Sequence, residues 1–139
     1  RPKMRQTQLL EHVETILIIA VGGFAGSNLR YFVELTLPSS LAATMTVNVL
    51  GSMALGFLFY ENILGDTISE SGRSIMATGF ISSFTTYSTF IIDAITARPL
   101  VAIGYVITSY ALGFTAVIVG RESAHRVTAS NQLSLEAGE

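Results

Sequence analysis

Four long stretches without a charged side chain constrain this sequence more than any other feature. Residues 41–60, 74–92 and 99–120 carry no charge over 20, 19 and 22 positions, and a shorter stretch at residues 15–29 resumes after Arg30 as far as Val33. A helix of about 20 apolar residues crosses the roughly 30 Å hydrocarbon core of a bilayer. The short alternating strands of a closed barrel are missing from this pattern. The sequence therefore predicts an all-α integral membrane protein with four transmembrane helices.

The scarcity of charge supports this interpretation. Only 13% of the residues are charged, against about 25% in ordinary soluble domains. A small soluble domain has a large surface for its volume and needs charged side chains on it. We expect a polar N-terminal segment at residues 1–13, a four-helix transmembrane domain at residues 14–120, and a polar, flexible C-terminal tail at residues 121–139.

Several classes of function conflict with the residues present. A net charge of −2 conflicts with nucleic-acid binding, which needs a basic patch. The absence of cysteine excludes thiolate metal sites and cysteine nucleophiles. His12 and His125 lie near opposite ends of the chain, which argues against a histidine-based centre. No serine within a span has a histidine or lysine beside it to act as a base, so we do not expect an enzyme.

The basic residues are distributed unequally between the two sides of the membrane. Four spans place both termini and the second loop on one side, which then holds six lysines and arginines against two on the other. Cytoplasmic loops carry an excess of such residues. The sequence therefore predicts cytoplasmic termini in a multi-pass protein of the cell membrane.

The first span combines small residues with one cation. Gly22 and Gly26 lie four residues apart, so they form a flat stripe that permits close helix packing. Arg30 follows on the same face, and a cation at that depth normally faces a partner or a watery cavity. Two interpretations stay open: Arg30 extends to the lipid headgroups, or it draws anions to the mouth of a pore.

The second span carries a polar stripe on an otherwise apolar helix. Thr44, Asn48 and Ser52 recur at every fourth residue and so share one face. Unpaired polar groups are costly in hydrocarbon. The stripe indicates either hydrogen bonding between helices for assembly or the lining of a polar path.

The third span is rich in hydroxyl groups. Seven of the nine residues 82–90 are serine, threonine or tyrosine, and such side chains compete with the helix for backbone hydrogen bonds. We therefore expect a break near mid-membrane, whose freed carbonyls can bind a cation. Tyr87 and Phe90 share a face, so their ring edges are available either to an anion or to ordinary packing. On the fourth span, Tyr105 and Ser109 lie one turn apart.

Three short motifs lie on the first three spans. They are Gly22-Gly23-x-x-Gly26-x-x-x-Arg30-Tyr31, then Thr46-Val47-Asn48-x-x-Gly51, then Thr78-Gly79-Phe80 leading into Thr85-Thr86-Tyr87-Ser88-Thr89-Phe90. Together they resemble the signatures of the Fluc (CrcB) fluoride channels, in the family's order and across essentially all four spans. The resemblance implies a fluoride-selective passive ion channel that exports fluoride from the cytoplasm and lowers its toxicity.

The resemblance also implies an assembly and a set of sites. It implies an antiparallel dimer with two fluoride pathways and a structural sodium ion at the dimer centre, held by the backbone carbonyls of Ser82 and Thr85. The pathway residues it assigns are Asn48, Tyr87, Phe90, Ser88, Thr89, Tyr105, Ser109 and Arg30.

This sequence departs from the family pattern at several positions. Tyr87 replaces the usual phenylalanine, and Ser82-Ser83 replaces a common pair of glycines. Gly113 stands where some members have a serine, and Asp93 where many have glutamate. The added Tyr87 hydroxyl is expected to alter conductance.

Two other functions remain as alternatives. A small proton-coupled multidrug exporter also has four helices, but it needs a carboxylate within the membrane, whereas Glu14 and Glu34 flank the first span. A non-conducting assembly subunit would use Gly22, Gly26 and Asn48 for packing alone. Because the charge bias favours one orientation, the second subunit is either an identical antiparallel chain or an oppositely oriented paralogue.

Overall fold

The structure, a computed structural model, describes residues 2–64 and 68–136, and all the regular elements within these residues are helical. The elements are α1 (Pro2–Thr36), α2 (Ser40–Leu64), α3 (Glu70–Arg73), a π-helical segment (Ser74–Ile81), α4 (Ser82–Phe84), α5 (Tyr87–Thr96) and α6 (Pro99–Glu136). Within these residues, four stretches are long and apolar enough to cross a membrane: Leu10–Thr36, Ser40–Glu61, Ser71–Thr96 and Pro99–Ser130. The prediction of four membrane-spanning helices is confirmed.

The third of these stretches is composed of several short elements. The π-helical segment passes directly into α4, and two residues then separate α4 from α5. Thr85 has φ −83° and ψ 160°, and Thr86 has φ −149° and ψ 121°. Both residues are therefore extended, and the chain resumes a helix at Tyr87.

Both ends of the chain are more helical than the polar composition indicated. α1 begins at Pro2, within the segment predicted to precede the spans. The region predicted as a flexible tail continues α6 as far as Glu136, and residues 137–139 lie outside the described residues. Residues 121–136 contain neither glycine nor proline, the residues that most strongly end a helix. Glu122 and Arg126 also form an ion pair of 3.5 Å one turn apart.

The helices pack in two pairs, α2 with α6 and α1 with the π-helical segment. Glycines form the contact in both pairs. A Cβ atom on Gly56 would lie 2.7 Å from the carbonyl oxygen of Val117, and one on Gly22 would lie 2.6 Å from that of Ile75. A side chain does not fit at either distance. The small-residue stripe of the first span therefore packs against the third span of the same chain.

Candidate ion pathway

A cleft of about 400 Å³ lies between α2, the extended residues, α5 and α6. None of its lining residues is charged, and hydroxyl, amide and aromatic groups line it together with small apolar side chains. The lining residues are Asn48, Gly51, Ser52, Leu55, Ile81, Thr85, Thr86, Tyr87, Phe90, Ser109, Tyr110, Gly113, Phe114 and Val117. The structure thus brings together Asn48, Tyr87, Phe90 and Ser109 from the predicted pathway.

The side-chain amide of Asn48 forms two hydrogen bonds with the backbone of Thr86. Its Nδ2 donates to the Thr86 carbonyl oxygen at 2.9 Å, and its Oδ1 accepts from the Thr86 N–H at 2.8 Å. Thr86 is buried, so its backbone groups need such partners. The amide of Asn48 therefore satisfies the backbone where the chain leaves the helix, and keeps one N–H of its own.

These bonds change the partners of two backbone carbonyls. In a continuous helix, the N–H groups of Thr86 and Thr89 would donate to the carbonyls of Ser82 and Thr85. Here the Thr86 N–H donates to Asn48, and the Thr89 N–H donates to Thr86 Oγ1 at 3.2 Å. Ser82 and Thr85 therefore lose the amide donors that an uninterrupted helix would supply.

Ser88 and Thr89 belong to the hydroxyl cluster that begins α5. Thr86 Oγ1 accepts the N–H of Thr89 as a helix cap and also donates to Thr89 Oγ1 at 3.0 Å. The hydroxyl of Ser88 lies 3.4 Å from the same oxygen. Both residues thus stand beside the cleft, around the buried cap, and not on its lining.

Aromatic side chains form one side of the cleft. The Tyr87 and Phe90 rings lie 5.9 Å apart and are nearly parallel, as their spacing on α5 predicts. Phe90 is buried and also contacts the rings of Tyr105 at 5.2 Å and Tyr110 at 6.0 Å, the latter edge to face. Tyr87, by contrast, is 69% exposed. One ring of the pair therefore belongs to the core, and the other is open to whatever covers the cleft.

Two hydroxyls predicted on the fourth span are buried. In the described part of the chain, Ser109 Oγ has no hydrogen-bonding partner, whereas Tyr105 Oη lies beside the side chains of Thr44 and Asp93 without a bond of ordinary geometry. Ser109 lines the cleft, while Tyr105 lies behind Phe90. A buried hydroxyl without a protein partner is costly, so the Ser109 donor is available to a ligand in the cleft.

Arg30 lies outside the cleft lining but contacts the same region of the third span. Its Nη1 donates to the Ser83 carbonyl oxygen at 3.1 Å, and its Nε lies 3.6 Å from the Glu34 carboxylate. The guanidinium group therefore satisfies an end carbonyl of α4. It has partners within the protein.

Some residues that line the cleft are not among the predicted pathway residues. Tyr110, which is not among the predicted pathway residues, lines the cleft, packs edge to face on Phe90 and lies next to Ser109 in the chain. Ser52 was noted in the polar stripe but not assigned to the pathway. The spacing of four residues between Asn48 and Ser52 indicates that the two side chains share a face of the helix. The sequence does not show which helix that face meets.

The chain is similar to known proteins over most of its length. A family profile described as "CrcB-like protein, Camphor Resistance (CrcB)" matches residues 17–121. A relative from Haloarcula marismortui, "Fluoride-specific ion channel FluC 1", is 51% identical over 119 residues, which cover 86% of this chain and 92% of the relative. A protein of the same name from Natronomonas pharaonis is 44% identical, with 77% of this chain and 91% of the relative covered. "Fluoride-specific ion channel FluC" of Chlorobium chlorochromatii is 36% identical, with 84% and 96% covered.

The profile match spans most of the chain, and the first of these relatives shares half of the aligned residues. The matched region includes all the lining residues of the cleft and most of each of the four apolar helices. The chain therefore belongs to the CrcB family and is a multi-pass membrane protein.

Proposed function

We propose that the chain is a fluoride-specific passive ion channel of the plasma membrane, which exports fluoride from the cytoplasm and so reduces its toxicity. The observation that carries the proposal is the uncharged cleft, where hydroxyl, amide and aromatic groups converge between three helices. An ion that enters a membrane must exchange its water for other ligands. A carboxylate on the lining would repel an anion, and the lining residues include none.

The pathway follows the polar groups around the cleft. The free N–H of Asn48, the hydroxyl of Ser109 and the ring edges of Tyr87 and Phe90 face the ion directly. Ring edges carry partial positive charge, so they attract a small anion. Four further residues support this path from beside the cleft. They are Ser88 and Thr89 at the cap of α5, Tyr105 behind Phe90, and Arg30, which donates to the Ser83 carbonyl at the end of α4.

The functional unit is an antiparallel dimer with two such pathways. In a single chain, the cleft has exposed rings at its rim, with Tyr87 at 69% and Phe114 at 70% exposure. Polar groups that face hydrocarbon are costly, so a second subunit must cover the groups beside these rings. That subunit is an identical chain in the opposite orientation or an oppositely oriented paralogue.

The third span is broken near mid-membrane and holds a structural sodium ion at the dimer centre. The extended dihedral angles of Thr85 and Thr86 support a break. The backbone carbonyls of Ser82 and Thr85 fit a sodium site, because they lose their helical donors and hard cations prefer oxygen ligands. When bound, sodium would supply a fixed positive charge between the subunits.

Fluoride efflux from liposomes tests the proposed function. The purified chain is reconstituted into vesicles loaded with potassium fluoride, and release is followed with a fluoride electrode after addition of a potassium ionophore. A passive fluoride-selective channel releases fluoride without a proton gradient, and matched vesicles loaded with potassium chloride retain their chloride. Release that requires a proton gradient would favour a coupled exporter. Release no faster than from vesicles without protein would favour an assembly subunit, provided that this holds both for the chain alone and for the chain with an oppositely oriented paralogue.

A further inference from the structure

The hydroxyl of Ser52 faces Gly113 across the cleft. A Cβ atom built on Gly113 would lie 3.9 Å from Ser52 Oγ, with no other neighbouring atom closer than 4 Å. Both residues line the cleft, and we name this pair the Ser52 layer. Within the described part of the chain, the Ser52 hydroxyl has no hydrogen-bonding partner. It is therefore a donor with space in front of it.

The Ser52 layer lies one helical turn from the polar centre of the cleft. Gly56 contacts Val117 at the next turn of the same two helices, so α2 and α6 run in the same direction. One turn in the other direction lie Asn48 on α2 and Ser109 on α6, and both of these residues line the cleft; we call this pair the Asn48 level. A turn of four residues rises by about 6 Å. An anion can therefore pass from one level to the next in a single short step.

The two levels differ in the donors that they offer. At the first level, Asn48 retains one N–H beside its bond to Thr86, and Ser109 offers a buried hydroxyl without a protein partner. At the second level, α6 contributes no side chain because the residue is Gly113. Beyond it, the lining residues Leu55 and Val117 are apolar. Ser52 is thus the last hydroxyl on this side of the cleft.

We infer that Ser52 is a pathway residue, whose hydroxyl donates to fluoride as the ion leaves the Asn48 level toward the C-terminal ends of α2 and α6. The inference rests on the proposed function. A small anion that leaves two donors for an apolar wall would lose its ligands at once. The Ser52 hydroxyl supplies one ligand at the point where the facing helix supplies none.

The position of Gly113 allows the hydroxyl to be moved to the other side of the cleft. Fluoride efflux is compared for the parent chain, Ser52→Ala, Gly113→Ser, and the double variant Ser52→Ala with Gly113→Ser. We expect Ser52→Ala to slow efflux by about tenfold or more, because a hydrogen bond to a charged ligand is lost. The double variant should recover most of the parent rate, since the new hydroxyl would project into the same space.

Matched controls separate the hydroxyl from effects on folding. The double variant of Ser52→Ala with Gly113→Ala adds volume without a donor, so its efflux should remain slow. Thr115→Val removes an exposed hydroxyl that already donates to the Ala111 carbonyl, so this variant should conduct normally. Should Ser52→Ala not fold, Ser52→Cys gives the same test, because a thiol is a weak donor.

Each outcome tests either this inference or the proposed function on which it rests. Parent-like efflux from Ser52→Ala would overturn the inference, and so would a double variant that stays slow while Gly113→Ser alone conducts normally. A parent chain that releases no fluoride, alone or with an oppositely oriented paralogue, would instead contradict the proposed function itself.

Discussion

The paired hydrogen bonds between Asn48 and Thr86 allow a sharp prediction about the pathway. Asn48→Ala removes both partners of a buried backbone unit. Each unsatisfied group costs about 1–3 kcal/mol, so the variant should lose about 2–6 kcal/mol of folding free energy. Asn48→Asp retains an acceptor for the Thr86 N–H but sets a second oxygen against the Thr86 carbonyl. Because its ionised carboxylate is also buried without a counter-charge, this variant should be destabilised as well.

Fluoride flux should separate the two variants clearly. A carboxylate about 4 Å from a passing anion raises its energy by about 4 kcal/mol at an effective dielectric constant of about 20, which corresponds to about a thousandfold slower passage. Asn48→Asp should therefore abolish measurable efflux from liposomes. Asn48→Ala removes a donor without adding charge, so the correctly folded fraction of that variant should retain more flux.

The assay pairs flux with stability. Fluoride release is measured with an electrode, and stability as the fraction of protein that remains in the main size-exclusion peak after heating in detergent. Asn28→Asp is the control, since Asn28 is exposed and, among the described residues, its amide donates to Phe24 of its own helix alone, at 2.7 Å. Fluoride efflux from Asn48→Asp that equals the parent rate would refute the assignment of Asn48 to the pathway.

Three further substitutions test separate parts of the account. Tyr87→Ile should lower fluoride flux more than thermal stability, because the ring is 69% exposed in the single chain; equal losses would assign Tyr87 to packing. Thr86→Val removes the cap of α5 and should cost about 1 kcal/mol, and an unchanged melting temperature would speak against that cap. Gly22→Ala should lower the melting temperature, since its Cβ would lie 2.6 Å from the carbonyl oxygen of Ile75. The control Gly104→Ala should not, because a Cβ there has nothing within 4 Å. Similar effects at both positions would contradict the packing of α1.

The spans were predictable from sequence because hydrophobic length is a local property. The uncharged residues 41–60 and 99–120 lie within helices that extend further at their ends, to Leu64 and Glu136. Charge marks where a segment leaves hydrocarbon, but it does not stop a helix. For that reason the composition located the spans but not the ends of the helices that contain them.

The bonds that organise the cleft were not predictable in the same way. Asn48 and Thr86 are 38 residues apart, and Arg30 and Ser83 are 53 apart. Spacing within one helix identifies a polar face but not the residue that meets it. The position of Gly113 opposite Ser52 likewise depends on the register of α2 against α6, which the sequence does not encode locally.

The reversal potential of the reconstituted channel tests the central claim most directly, namely that uncharged donors from paired helices replace the water of a fluoride ion. Current is recorded in a planar bilayer with a tenfold fluoride gradient and equal chloride on both sides, for the chain alone and, should it carry no current, together with an oppositely oriented paralogue. A passive fluoride-selective path should reverse at a magnitude of about 59 mV, the value for one charge and a tenfold ratio. Reversal near zero, or no current in either preparation, would contradict the account.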